Sequence, residues 1–131
     1  MKIRHAACSC GQLHLSTRGE PLRVSICHCL ACQQRTGSAF GVQARFAEAD
    51  VTVEGQSTEY VRIAEDGDAV RFGFCPVCGS TLFYRLDGVP GTIGVPVGGF
   101  AEPDFPTPTV SVYEQHRHHW LSLPDGIEHQ F

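Results

Sequence analysis

The chain has 131 residues, of which 42% are hydrophobic and 18% charged, enough apolar material for one core and too little charge for a disordered segment. Ten basic against fourteen acidic residues leave a formal charge of −4, which opposes nonspecific attraction to nucleic-acid phosphates or anionic lipid. No apolar run approaches the roughly twenty residues of a bilayer crossing, and Met1-Lys2-Ile3-Arg4-His5 leads into no signal-like segment. The expectation is a single domain over residues 1–131, cytoplasmic, with neither a membrane nor a nucleic-acid partner.

In chain order, short β-rich stretches recur: residues 12–17, 22–27, 39–46, 51–54, 58–63, 69–74, 81–86 and 92–97. Turn residues punctuate them, as in Arg18-Gly19-Glu20-Pro21, Glu65-Asp66-Gly67-Asp68 and Leu86-Asp87-Gly88, and the Asp-Gly steps suit hairpins. Only residues 30–36 read as helical, a short turn halted by Gly37. The last third carries six of the eight prolines. Pro103, Pro106 and Pro108 are too close together for a regular helix, which predicts a covering loop, a returning strand over 110–113, and Trp120-Leu121 as apolar bulk to anchor the tail. The architecture predicted is mainly β.

All seven cysteines fall in three groups: Cys8-Ser9-Cys10, Cys27-His28-Cys29-Leu30-Ala31-Cys32 and Cys75-Pro76-Val77-Cys78. For a reducing compartment that count points to metal ligation rather than disulfides. Cys75 and Cys78 form a Cys-x-x-Cys knuckle followed by Gly79, and Cys8 and Cys10 are followed by Gly11; a glycine there lets the backbone turn tightly around a metal. A closed structural zinc takes four ligands, whereas a catalytic zinc keeps a position open.

Two divisions of the sulfurs compete. Pairing Cys8 and Cys10 with Cys75 and Cys78 leaves Cys27, Cys29 and Cys32 as a second site one ligand short, and it uses all seven. Completing the knuckle from the middle cluster strands three cysteines with no shared task. A single structural zinc with inert buried cysteines is the plainer alternative, but it leaves the middle cluster to chance. A thioredoxin-like relay fits poorly, because that motif opens a helix, whereas Phe72-Gly73-Phe74 and Leu82-Phe83-Tyr84 read as strands flanking a turn.

Cys8-Ser9-Cys10-Gly11, the middle cluster with Thr36-Gly37-Ser38-Ala39-Phe40, and Phe74-Cys75-Pro76-Val77-Cys78-Gly79-Ser80-Thr81-Leu82 together resemble the glutathione-dependent formaldehyde-activating (GFA) family, which includes centromere protein V-like domains. The resemblance spans nearly the whole chain, the Pro-rich segment and Trp120-Leu121 included. It implies a β-tent fold of short antiparallel strands with two zinc ions. The structural one falls on Cys8, Cys10, Cys75 and Cys78, and the catalytic one on Cys27, Cys29 and Cys32.

Three thiolates make zinc a poorer Lewis acid than three imidazoles do, so its water ionises less readily. Such a soft site suits an incoming thiol. The expected activity is a carbon-sulfur lyase or synthase that joins glutathione, or a similar small thiol, to an aldehyde such as formaldehyde. The alternative is a non-catalytic zinc module that binds a thiol, a protein or a nucleic acid. Among the neighbours, His28 should face away from the metal, because adjacent side chains of an extended segment point oppositely. Gln33, Gln34 and Arg35 read as solvated surface able to meet a carboxylate. His116-Arg117-His118-His119 reads as an ordinary polar segment, and Phe72, Phe74, Phe83 and Tyr84 as core and strand-pairing residues.

Overall fold

The computed structural model describes residues 1–131 and is mainly β, as the strand pattern predicts. Eleven strands form two sheets. A three-stranded sheet holds β1 (Ile3–Ala7), β2 (His14–Arg18) and β5 (Val51–Glu54) in the order β1-β2-β5. The larger sheet joins β3 (Arg23–Cys27), β4 (Gly41–Ala47), β6 (Thr58–Ile63), β7 (Ala69–Phe74), β8 (Thr81–Leu86), β9 (Thr92–Pro96), β10 (Val110–Val112) and β11 (Glu128–Gln130), ordered β11-β10-β3-β4-β9-β8-β7-β6.

Most pairings are antiparallel, both between chain neighbours and in the longer-range pairs β2–β5 and β4–β9. The parallel ones lie at one edge, where β10 runs alongside both β3 and β11. β10 therefore carries residues 110–112 alongside Ser25, Ile26 and Cys27. The Pro-rich segment before it packs Phe105 onto Phe100, with ring centroids 4.7 Å apart.

The core fills the space between the sheets. Leu15 from the small sheet and Leu13 just before β2 pack in one cluster with Phe46, Leu82, Ile93 and Val95 from the large one, each at most 2% exposed. Alternation sets the buried face of β1 and β2; in β2, Leu15 and Thr17 point inward. Two strands went unseen in the sequence. In β1 the inward positions are Arg4 and Ala6, and an arginine does not read as core; here Arg4 is buried because its guanidinium donates to both Glu20 carboxylate oxygens at 2.8 and 3.2 Å. β11 is exposed throughout, so it carries no hydrophobic signal.

The tail is anchored differently from the sequence expectation. Trp120 is 61% exposed and meets only the edge of His118, whereas Ile127 is the buried residue.

Candidate metal centres and the adjoining cleft

The first sulfur cluster stands where two tight turns face each other. One lies between β1 and β2, and the other between β7 and β8. In the first, the Gly11 N–H donates to the Cys8 carbonyl at 3.0 Å; in the second, the Gly79 N–H donates to the Cys75 carbonyl at 2.8 Å. Both glycines adopt left-handed backbone, φ 85° and 81°, a conformation that disfavours any side chain. The turns are stitched together by Ser9 and Ser80, whose hydroxyls lie 3.0 Å apart.

This arrangement brings the sulfurs of Cys8, Cys10, Cys75 and Cys78 within 4.8 Å of one another. Donors surround them: the Leu13 N–H reaches the Cys8 sulfur at 3.3 Å, the Val77 N–H reaches Cys75 at 3.4 Å, and Gln12 Nε2 donates to Cys75 at 3.0 Å. Such donors stabilise thiolate charge rather than neutral thiol. Four soft ligands held this way fit a divalent zinc-like ion.

The second cluster is built on the passage from β3 into a helix. Cys27 ends β3, Cys29 caps helix α1 (Leu30–Thr36), and Cys32 sits in its first turn. The Cys29 sulfur accepts the Cys32 N–H at 3.2 Å, so a side chain that caps the helix also belongs to the cluster. Gly37, left-handed at φ 70°, closes the helix where the sequence places its end.

All three cysteines are buried, and their sulfurs lie within 4.8 Å of one another, separate from the first cluster. The thiols of Cys27 and Cys32 hold Cys29 far below the ordinary thiol range. The same hydrogen bonds, from Cys29 and then Cys32, push Cys27 far above it. Three ionised sulfurs this close require a positive ion between them, and the donor set again suits a soft divalent metal.

His28, between two of these cysteines, is fully buried and turned from the cluster. Its Nε2 lies 2.9 Å from the Ser111 hydroxyl on β10, and burial lowers its pKa, which keeps the ring neutral. Gln33 is structural rather than solvated. Its Nε2 donates to the carbonyls of His28 and His116, at 2.9 and 3.1 Å, and its Oε1 meets His118 Nε2 at 2.9 Å. The polar segment 116–119 is therefore tied to the metal-site loop, while Gln34 stays exposed.

The trio lines a cleft of about 470 Å³. Tyr84 and Tyr113 stand in its wall, with Gln43, whose Nε2 lies 4.0 Å from the Cys32 sulfur. The Tyr84 ring crosses Gly94 so closely that a Cβ there would lie 2.0 Å from its Cζ. Burial raises the Tyr84 hydroxyl to about 12, so it stays protonated. Phe72 and Tyr84 pack together with centroids 6.0 Å apart, as strand-pairing residues, and both also face the cleft. Sequence reasoning missed Gln43, Tyr84 and Tyr113 as cleft residues, because they come from three separate strands or their ends and share no motif.

A family model described as "Glutathione-dependent formaldehyde-activating enzyme" matches residues 3–116. The chain belongs to this family. The match takes in both sulfur clusters and the strands that carry them. A crystal structure of a Rhodobacter sphaeroides protein superposes with a TM-score of 0.57 at 22% identity, covering 72% of this chain and 85% of that one, which supports the fold. No curated protein matches the chain. For a GFA family member, two sulfur clusters able to hold metal and a small-thiol substrate follow from the family and the geometry together.

Proposed function

We propose that the chain is a zinc-dependent carbon-sulfur lyase or synthase of the GFA type, which joins a small thiol such as glutathione to formaldehyde and breaks the same bond in reverse. The observation that carries this reading is the buried sulfur trio opening onto a cleft, rather than closed by a fourth protein ligand. In it, Cys8, Cys10, Cys75 and Cys78 hold a structural zinc, and Cys27, Cys29 and Cys32 hold the catalytic one, two ions per chain. When bound by three thiolates, zinc lowers the pKa of a thiol brought to its open position.

The net change is simple. The thiol sulfur forms a bond to the carbonyl carbon, the thiol proton is released, and the carbonyl oxygen gains a proton to give an S-hydroxymethyl thiol. The chain's own groups orient this exchange. Tyr84, held protonated by burial, is a hydrogen-bond donor in the cleft for the developing oxyanion. Neutral His28, held by Ser111, fixes the strand-to-helix passage that presents Cys27 and Cys29.

All seven cysteines are free, which supports a reducing, cytoplasmic setting, and residues 1–131 are read as one GFA-type domain. No helix is long and apolar enough to cross a membrane. The test compares adduct formation from glutathione and formaldehyde with and without the zinc-loaded protein. Acceleration that disappears in Cys29→Ser supports the enzyme; an uncatalysed rate with intact zinc leaves a protein that merely holds the thiol.

A further inference from the structure

The chain is acidic overall, yet its unpaired cations collect in one place. Arg4, Arg18, Arg71 and Arg85 each lie within 4.0 Å of a carboxylate. Arg23, Arg35, Arg45 and Arg62 are in no such pair, and all four line the cleft that holds the sulfur trio. The remaining arginine, Arg117, is exposed.

The fold presses these four together in twos. Arg23 and Arg45 are directly opposite across β3 and β4, where like charges destabilise a sheet. Arg35 from α1 and Arg62 from β6 both lie over the Phe72 ring, with guanidinium carbons 5.4 and 5.1 Å from its centroid. The Nε atoms of Arg23, Arg35 and Arg62 are buried without any hydrogen-bond partner, and a native fold rarely leaves such donors unmet. Arg23 reaches only the neutral side chain of Gln130, at 3.4 Å.

The trio does not account for this surplus, since with a divalent ion its three thiolates leave one negative charge against four positive ones. Glu65, Asp66 and Asp68 line the same cleft and balance the remaining charge in sum, but not by pairing. Asp68 accepts the Gly88 N–H at 2.9 and 3.0 Å, Asp66 accepts the Asp68 N–H at 2.9 Å, and neither they nor Glu65 pairs with an arginine. Paired guanidinium forks are suited to carboxylate or phosphate oxygens.

We propose that Arg23 with Arg45, and Arg35 with Arg62, are two anion-binding pairs that restrict the cleft to thiols carrying two negative groups. This rests on the thiol reading above and deepens it, because it assigns selection among thiols to four residues outside the sulfur cluster. Arg23 lies on the strand that ends in Cys27 and Arg35 on the helix that carries Cys32, so each pair shares the cleft with the trio.

The test is calorimetric binding of S-methylglutathione to the zinc-loaded protein. This probe has two carboxylates and no free thiol, so binding is read without chemistry. Its diester should bind at least about tenfold more weakly, a comparison that needs no variant. Arg23→Gln/Arg45→Gln and Arg35→Gln/Arg62→Gln, each checked for metal content and thermal stability, should each weaken the diacid about tenfold and shrink the penalty for esterification. The Lys counterparts should restore part of it. Equal binding of diacid and diester by the wild-type protein overturns the proposal even if the glutathione reaction is accelerated. Conversely, charge-dependent binding with no acceleration for any thiol overturns the enzymatic reading and leaves the anion pairs standing. Phosphopantetheine, a thiol with one anionic group, is the parallel arm: weaker binding than the diacid supports the need for two anions, and equal or tighter binding overturns it.

Discussion

Cys10→Ser and Cys29→Ser separate the two sulfur clusters by their effect on stability. Cys10 is exposed and Cys29 is buried, so loss of packing alone predicts that the Cys29 variant suffers more. Cross-linking predicts the reverse. Cys10 and Cys75 lie sixty-five positions apart, on turns belonging to different sheets. Applied to a metal cross-link, the chain-entropy relation makes closure of that loop worth about 4 kcal/mol. The trio spans only positions 27 to 32, for which the same relation gives about 2 kcal/mol. Serine at position 29 also keeps an oxygen to accept the Cys32 N–H, so the helix cap survives. Against a total stability of roughly 5–15 kcal/mol, the first loss threatens folding and the second does not. The assay is urea unfolding of both variants, each purified with zinc in reducing buffer and shown to have lost the ion of the mutated cluster, followed by circular dichroism. Equal destabilisation, or a greater loss for Cys29→Ser, would refute the assignment of the structural role to the quartet.

Further outcomes follow from the geometry of the cleft and its supports. Gly94→Ala places a methyl group 2.0 Å from the Tyr84 ring, so thermal unfolding should show a loss of about 1–3 kcal/mol and thiol binding should weaken; an unchanged melting curve contradicts the packing described. Ser111→Ala removes the one side-chain partner of fully buried His28. It should cost about 1–3 kcal/mol in urea unfolding, and a neutral result would show that a water replaces the hydroxyl. The Arg71 guanidinium, 2.8 and 3.0 Å from the Asp87 oxygens, holds that carboxyl below its ordinary value. The pair's contribution is therefore complete above about pH 4 and is lost as pH falls through the lowered folded value. Arg71→Gln should return the Asp87 titration, followed by NMR, to the usual range, and no movement would refute the cause.

The strands from residue 51 to 96 were legible because turn residues separate β-rich runs, Asp66-Gly67 between β6 and β7 and Asp87-Gly88 between β8 and β9, and the observed β5 to β8 match those runs residue for residue. The helix was legible because Gly37 ends it. Grouping of the cysteines into a quartet and a trio was visible from spacing alone. What spacing could not reveal was any feature made by strands meeting at a distance. The parallel insertion of β10 beside β3 brings Ser111 under His28, and nothing local announces it. Arg23, Arg35, Arg45 and Arg62 form no basic run, and only the sheet register and the helix packing bring them to one cleft. Trp120 misled for the opposite reason. A large apolar side chain suggests burial, but one such residue often remains on a surface, and here Ile127 takes the anchoring position instead.

Native mass spectrometry of the purified protein and its Cys29→Ser variant bears most directly on the existence of two independent metal centres. The account predicts two zinc ions per wild-type chain and one in the variant, with the same compact charge-state distribution. A wild-type chain that carries one ion, or a Cys29→Ser chain that loses both, would contradict it.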